Sequence, residues 1–266
     1  MIKSRYSKVE SLTVMGHSSK KVLGPNIQIL LWNVFKCKKK GWQKDFVTLI
    51  QEKDLILLQE AIINSPFDEI FTHSSSCQWM MASSFKNLKT NIETGVKTGS
   101  TVAAKQHYFS ASAYGEPLTN TKKMLLAAEY PLTEETESAS QQCLLVINTH
   151  IINFVSMTKF NAHLEQVADV IKGHEGPILL AGDFNTWNKK RLTGFNQLAA
   201  SFSLDKVDMI RQPRLNHFFR HLDHVYCRGL DVIDVQVHTE IHSSDHYPIS
   251  LSLHITNTTS CQQRRQ

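Results

Sequence analysis

Leu179-Leu180-Ala181-Gly182-Asp183-Phe184-Asn185-Thr186-Trp187 opens with apolar residues of the kind that fill a buried strand, then breaks at a glycine. Past Gly182 the chain presents one carboxylate and, two residues on, one amide. Gly182 lets the backbone approach another group closely, and in extended chain Asp183 and Asn185 point the same way. A carboxylate beside an amide at a strand end suits a phosphate with a hard metal ion next to it. The acid can hold or deprotonate water, and the amide can donate to a phosphoryl oxygen without adding negative charge.

Outward from this stretch, strands and helices alternate. Residues 27–34 and 54–60 read as buried strands. Between them Trp42, Phe46, Leu49 and Ile50 fall at helical spacing and predict an amphipathic helix over 42–53. Ser65-Pro66 opens another predicted helix. Further on, 143–150 and 177–184 are strands, and Phe160, Leu164, Val167, Val170 and Ile171 mark the helix between them. A helix is expected over 191–202 and strands over 222–227, 232–238 and 249–255. From 74 to 140, Gly95, Gly99, Gly115 and Pro117 punctuate strand candidates at 100–104 and 124–130, with a polar loop at 133–142. Composition does not break along the chain. The expected organisation is therefore a polar arm (1–25), one domain (26–256) and a polar tail (257–266).

Composition excludes several classes. No apolar run among the 266 residues approaches the ~18 that a membrane span needs, and the first residues carry no apolar segment of the secretory kind. Five scattered cysteines without a CxxC pair point to reduced thiols and a cytoplasmic location, against a disulfide framework or a zinc cage. The formal charge of +5 is a mild bias toward anionic partners. There is no P-loop, no G-x-G-x-x-G turn after a strand, no G-x-S-x-G elbow and no H-E-x-x-H helix.

Polar residues recur where apolar runs end: Asn33, Glu60, His150, Asp183 with Asn185, Asp223, and the group Ser243-Ser244-Asp245-His246-Tyr247-Pro248 before the last strand. Singly, each reads as a cap, a turn residue or a satisfied histidine. Six at one kind of position point to a site, because strand ends are where α/β sites assemble.

The ordered set Trp32-Asn33-Val34, Leu58-Gln59-Glu60, Asn148-Thr149-His150, Gly182-Asp183-Phe184-Asn185, Leu222-Asp223 and Ser244-Asp245-His246-Tyr247-Pro248 resembles the endonuclease/exonuclease/phosphatase superfamily of metal-dependent phosphoesterases. The finer texture is similar to an uncharacterised bacterial, YafD-like branch. The resemblance implies an α/β fold of the DNase I-like kind, a four-layer α/β/β/α sandwich of two mixed β-sheets packed face to face with helices outside. It implies Mg2+ (or Mn2+) on Glu60, with Asn33 and Asp245 close by. It makes Asp183 the group that orients or deprotonates the attacking water, Asn185 a phosphate ligand, and His246 a donor or general acid facing the phosphorane with Asp223 orienting its ring. His150 would donate to phosphate or to the leaving oxygen. The implied substrate is a phosphate ester, a phosphodiester first, with nucleic acid among the options. A phosphomonoesterase on a sugar, inositol or nucleotide phosphate, or a catalytically silent binding module, would use the same fold.

Neighbouring residues add further candidates. Asn153 and Trp187 are candidate substrate contacts, with Lys123 and Thr98-Gly99-Ser100 as possible lining. Lys36, Lys38, Lys39 and Lys40 form a basic loop beside Asn33. Trp42 reads as core, and His221, His224 and His242 as incidental. Many relatives carry Arg where this chain has His221. The DNA-gripping insertions of apurinic endonucleases and the signature of inositol-polyphosphate phosphatases are not found, so the resemblance does not carry a substrate class.

Overall fold

The computed structural model describes residues 5–74, 76–132, 143–209 and 222–256. In its first half the order is β1 (Tyr6–Gly16), β2 (Asn26–Asn33), α1 (Trp42–Leu49), β3 (Leu55–Ile63), α2 (Ser65–Ser74), β4 (Gln78–Asn87), β5 (Glu93–Ser100), β6 (Gln106–Ala111) and β7 (Met124–Pro131). Then follow β8 (Cys143–His150), α3 (Met157–Ile171), β9 (Ile178–Asp183), α4 (Lys189–Ser201), β10 (Asp205–Lys206), β11 (Asp223–Arg228), β12 (Leu230–Val237) and β13 (Ile249–Ile255).

The strands form two mixed sheets, ordered β1-β4-β5-β3-β2-β13-β12 and β10-β11-β9-β8-β7-β6. Each sheet holds one parallel pair, β2 with β3 and β8 with β9, joined by the crossover helices α1 and α3. Alternation along these strands makes the layers. Ile29, Leu31, Leu55 and Leu57 of one sheet meet Leu144, Val146, Leu179 and Ala181 of the other in a shared core. Their neighbours Leu30, Trp32, Ile56 and Leu58 pack outward against Trp42 and Phe46 of α1 and Phe71 of α2. Leu145, Ile147, Ile178 and Leu180 pack outward against Phe160 and Leu164 of α3 and Phe195 of α4. The result is the four-layer sandwich that the resemblance implies.

Three sequence expectations need correction. The stretch read as a polar arm contains β1, an edge strand paired with β4. It is polar because none of its residues is fully buried, so nothing in it needs an apolar run. The helix expected over 42–53 ends at Leu49, and Glu52 follows with a left-handed φ of 59°. Between 76 and 131 lie four strands, β4 to β7, where two were expected, and only Ser100 of the 100–104 candidate is in one. Cys37, Cys77, Cys143 and Cys227 are buried free thiols. The 133–142 loop, His221, Cys261 and the 257–266 tail lie outside the described residues. No helix among those described is long and apolar enough to cross a membrane.

Candidate active site

The same alternation that builds the inter-sheet core delivers the polar side chains. Asn33 continues the face of Ile29 and Leu31, Gln59 that of Leu55 and Leu57, and Asn148 and His150 that of Leu144 and Val146. Asp183 follows Leu179 and Ala181, and Asp223 precedes Val225 and Cys227 on the same face. Across the sheets Gln59 Nε2 donates to Asn148 Oδ1 at 2.7 Å, and Asn33 Nδ2 donates to Asp183 Oδ2 at 3.0 Å. A buried polar seam therefore closes the apolar core at the strand ends and opens into the site. Gly182 is required here, since a Cβ would lie 1.8 Å from the Thr149 carbonyl oxygen on the parallel neighbour.

Glu60 reaches the site differently. By alternation it would point with Ile56 and Leu58 into the helix layer. The β3–β5 register slips between Leu58 and Ala61, and Glu60 takes a φ of 49°. This bulge turns the carboxylate into the cleft, a common use of a bulge beside a site. Asn33, Glu60, His150, Asn153, Asp183, Asn185, Trp187, Asp245 and His246 all line one cleft of about 500 Å3, together with Glu116, Lys123, Phe154 and Leu222. Asp223 stands directly behind His246.

One wall is built on Asp183. His246 Nδ1 lies 2.6 Å from Asp223 Oδ2, and its Nε2 lies 3.7 Å from Asp183 Oδ2. His150 Nε2 is 3.4 Å from the same Asp183 oxygen. Asp183 Oδ1 accepts from the Asn185 backbone N–H at 3.1 Å, while Asn185 Nδ2 donates to the Ile151 carbonyl at 2.8 Å. Behind it, Ser244 Oγ donates to the Asn33 carbonyl at 2.6 Å and Trp32 Nε1 to the His246 carbonyl at 3.1 Å, tying the last loop to β2.

The opposite wall is a rail of alternating charges. Lys36 Nζ lies 2.6 Å from Glu60 Oε2. Lys123 Nζ is 3.6 Å from Glu60 Oε1 and 3.6 Å from Glu116 Oε1. Glu116 Oε1 also accepts from the Asn153 backbone N–H at 3.1 Å, and Asn153 Oδ1 accepts from Trp187 Nε1 at 2.9 Å. Lys36 is presented by three successive left-handed residues, Phe35, Lys36 and Cys37.

Burial and charge set the protonation states. Burial raises Asp183 to about 7; Asp223 adds to the rise and His246 opposes it. Burial opposes the charge on His246, but Asp223 first, then Asp183 and Asp245, outweigh it and raise its pKa to about 10. His150 goes the other way, well below its ordinary value, because burial and then Lys123 disfavour its charge. Burial also opposes ionisation of Glu60, yet Lys123 and Lys36 hold it well below the usual carboxylate range.

The donor chemistry fits a divalent cation. Glu60, Asp245 and the Asn33 amide offer hard oxygens, and Mg2+ needs only one or two carboxylates beside substrate and water. Asp183, Asp223 and His246 form a second group, with ligand atoms all within 4.8 Å of one another. Asp223 Oδ1 is buried there without a hydrogen-bond partner among the described residues.

Sequence reasoning missed the buried supports. Arg191, 1% exposed on α4, donates to the carbonyls of Ile152, Asn185 and Val155 and so fixes both loops beside the site. His163 on α3 accepts from the Ile152 N–H at 3.1 Å. His224, read as incidental, is buried and lies 2.6 Å from Thr186 Oγ1. Thr98, Gly99 and Ser100 do not line the cleft. Thr98 Oγ1 accepts from Asn148 in the seam, and Gly99 packs against the Trp79 ring.

Comparisons with known proteins give the family and the fold. The sequence profile of the Endonuclease/Exonuclease/phosphatase family matches residues 30–246. A UPF0294 protein of Yersinia pseudotuberculosis is 30% identical over 225 residues, 84% of this chain and 82% of that one. Among solved structures, an endonuclease/exonuclease/phosphatase from Beutenbergia cavernae is similar with a TM-score of 0.67 and 14% identity, covering 88% of this chain and 72% of that chain. D. rerio TDP2 complexed with a single-strand DNA product gives 0.56 and 13%, covering 86% and 98%.

Proposed function

This chain belongs to the endonuclease/exonuclease/phosphatase family, and we propose that it is a divalent-metal-dependent phosphodiesterase. The observation that carries the reading is the surround of Asp183: one carboxylate oxygen with Asn33, His150 and His246 all within 3.7 Å, at the floor of an open cleft. A lone structural acid has no use for two histidines from different strands and loops.

In the proposed reaction Asp183, as carboxylate, takes a proton from water as the water oxygen attacks phosphorus. Asn185 keeps one amide hydrogen on the Ile151 carbonyl and offers the other to a phosphoryl oxygen. Neutral His150 donates to the phosphate. His246, kept protonated by Asp223, faces the phosphorane and gives its proton to the departing ester oxygen as the P–O bond breaks. Asp183 then releases its proton to solvent and His246 regains one from solvent, which restores both groups for the next turnover. Glu60, with Asn33 and Asp245, would hold Mg2+ or Mn2+, which when bound supplies Lewis-acid stabilisation of the phosphate charge. A cleft of about 500 Å3 leaves room for organic groups on both sides of a phosphate, as a diester carries them.

The test is hydrolysis of bis-p-nitrophenyl phosphate and of p-nitrophenyl phosphate with Mg2+ or Mn2+. Turnover of the diester, lost in His246→Ala, is expected. Faster turnover of the monoester would move the reading to a phosphomonoesterase. A folded, metal-loaded protein inactive on both would refute catalysis.

A further inference from the structure

Trp187 stands apart from the other three tryptophans. Trp32, Trp42 and Trp79 are at most 6% exposed, whereas Trp187 is 45% exposed and lines the cleft. An exposed indole is ordinarily mobile, but this one is fixed on two sides. Its Nε1–H is held by Asn153 Oδ1 at 2.9 Å, and the Arg191 guanidinium lies over its ring, 5.2 Å from the centroid. Arg191 is itself locked, with three backbone carbonyls as acceptors and the Phe160 ring 4.6 Å away. A buried cation therefore backs one face of the indole and leaves the other to the cleft.

Phe154 adds a second ring. It is 73% exposed, lines the same cleft and takes a left-handed φ of 53°. Its backbone N–H donates at 2.8 Å to Asn153 Oδ1, the oxygen that also holds Trp187. A bulky residue in a disfavoured conformation, with its ring in water, gains nothing for the fold, and such outliers gather at functional sites. One side-chain oxygen thus anchors the Trp187 indole and the Phe154 backbone. Lys39 meanwhile ties the basic loop to the Ser244 carbonyl, next to the cleft-lining Asp245.

We propose that Trp187 and Phe154 form a stacking subsite for a nucleobase attached to the scissile phosphate, so that the substrate is a single-stranded nucleic acid or a nucleotide ester. This rests on the phosphoesterase reading for its chemistry but not for its binding. A pinned, cation-backed indole offers a flat π-face, which every base can use and a flexible alkyl chain cannot. A lipid surface would call for rings free to insert, whereas hydrogen bonding and Arg191 hold Trp187 in the cleft wall.

The exposed indole gives a direct readout. The full chain, with Mg2+ present, is titrated with a short single-stranded oligodeoxynucleotide carrying phosphorothioate linkages, with an abasic strand of the same length, and with phosphatidylglycerol vesicles. The oligonucleotide should quench tryptophan emission saturably and bind about tenfold or more tightly than the abasic strand. Read instead by the fluorescence anisotropy of a dye-labelled strand, since these variants lack the reporting indole, Trp187→Ala should bring that ratio toward one, and Trp187→Phe, which keeps a ring, should preserve most of it. Equal affinity for the two strands, binding of neither, or a ratio untouched in Trp187→Ala would overturn the inference. So would a blue shift on vesicles without quenching by the oligonucleotide. Hydrolysis of bis-p-nitrophenyl phosphate is scored separately, so a failed subsite and a failed phosphoesterase reading give different results.

Discussion

The two walls of the cleft are built on different principles. The Asp183 wall is made of strand ends: Asn33, His150, Asp183 and Asp223 sit where alternation places them, and the sheets fix their spacing. The Glu60 wall is made of exceptions: a bulge, a left-handed turn carrying Lys36, and Lys123 just ahead of β7. Hydrogen bonds of 2.6 and 3.0 Å join the first, while two lysines bracket a single carboxylate in the second. The difference suggests a division of labour. In the proposed reaction the rigid wall would do the proton chemistry, where small displacements are costly, and the charged wall would meet a cation and an anion. Substitutions in each wall should fail in different ways.

The largest effect belongs to the first wall. Asp183→Ala removes the proposed base and should lower kcat on a generic diester by about a thousandfold, within the range for a general base. Substrate binding should weaken far less, since Asn185, His150 and His246 remain. A loss confined to KM would mean that Asp183 only shapes the cleft.

In the second wall the largest effect is on stability. Lys123 is 13% exposed and sits between two carboxylates, Glu60 and Glu116. Lys123→Met leaves both without their buried cation, which should destabilise the fold by about 3 kcal/mol, the lower end for breaking a buried pair. Urea unfolding measures it, and adding Glu60→Gln should return part of the loss. Unchanged stability would show that the rail is solvated and the contrast between the walls is false.

The same contrast explains what the sequence disclosed. Members of the first wall lie at strand ends, where a polar residue borders an apolar run, and five of the six motifs that carried the family resemblance belong to it; the sixth holds Glu60. The rest of the second wall was harder to read because its partners are far apart in the chain and each has an ordinary local reading. Lys36 read as one of a lysine run and Glu116 as an ordinary loop residue, while Lys123, a candidate for lining, does line the cleft. The strands behind it were harder still. β5 (Glu-Thr-Gly-Val-Lys-Thr-Gly-Ser) has the composition of a turn, yet it is almost wholly buried. Its glycines serve packing, since a Cβ on Gly95 would meet the Ala82 carbonyl oxygen at 1.8 Å and one on Gly99 the Trp79 ring at 2.7 Å. Lys97 is buried between them, satisfied by Asp68, the Ile62 carbonyl and the Phe71 ring. Glycine as punctuation and lysine as surface are sound priors that tertiary packing overrode.

A smaller effect tests how the first wall is backed. His163 accepts from the Ile152 N–H, and burial lowers its pKa to about 3. The unfolded chain binds this proton near pH 6.5 and the folded chain does not, so the stabilisation is complete above 6.5 and is lost as pH falls toward 3. By pH 5 the loss should be about 2 kcal/mol. His163→Gln keeps an acceptor for Ile152 without a titrating group, so its stability should fall less between pH 7 and 5 by that amount. Parallel curves for the two proteins would place the acid sensitivity elsewhere.

The smallest effect is the most discriminating for the second wall. Lys36 and Lys123 touch the same carboxylate, but the Lys36 side chain is 28% exposed, and a pair so open to solvent contributes under about 1 kcal/mol. Lys36→Ala should therefore leave unfolding almost unchanged. What it should change is cation binding, because an ammonium 2.6 Å from Glu60 Oε2 competes for the oxygen that a metal would use. Removing one such screened charge should tighten Mn2+ binding by about three- to tenfold, read by calorimetry without substrate. Weaker Mn2+ binding would mean instead that Lys36 holds the Glu60 carboxylate in position. The left-handed turn would then belong with the rigid wall, and the division between the two would have to be drawn at Lys123.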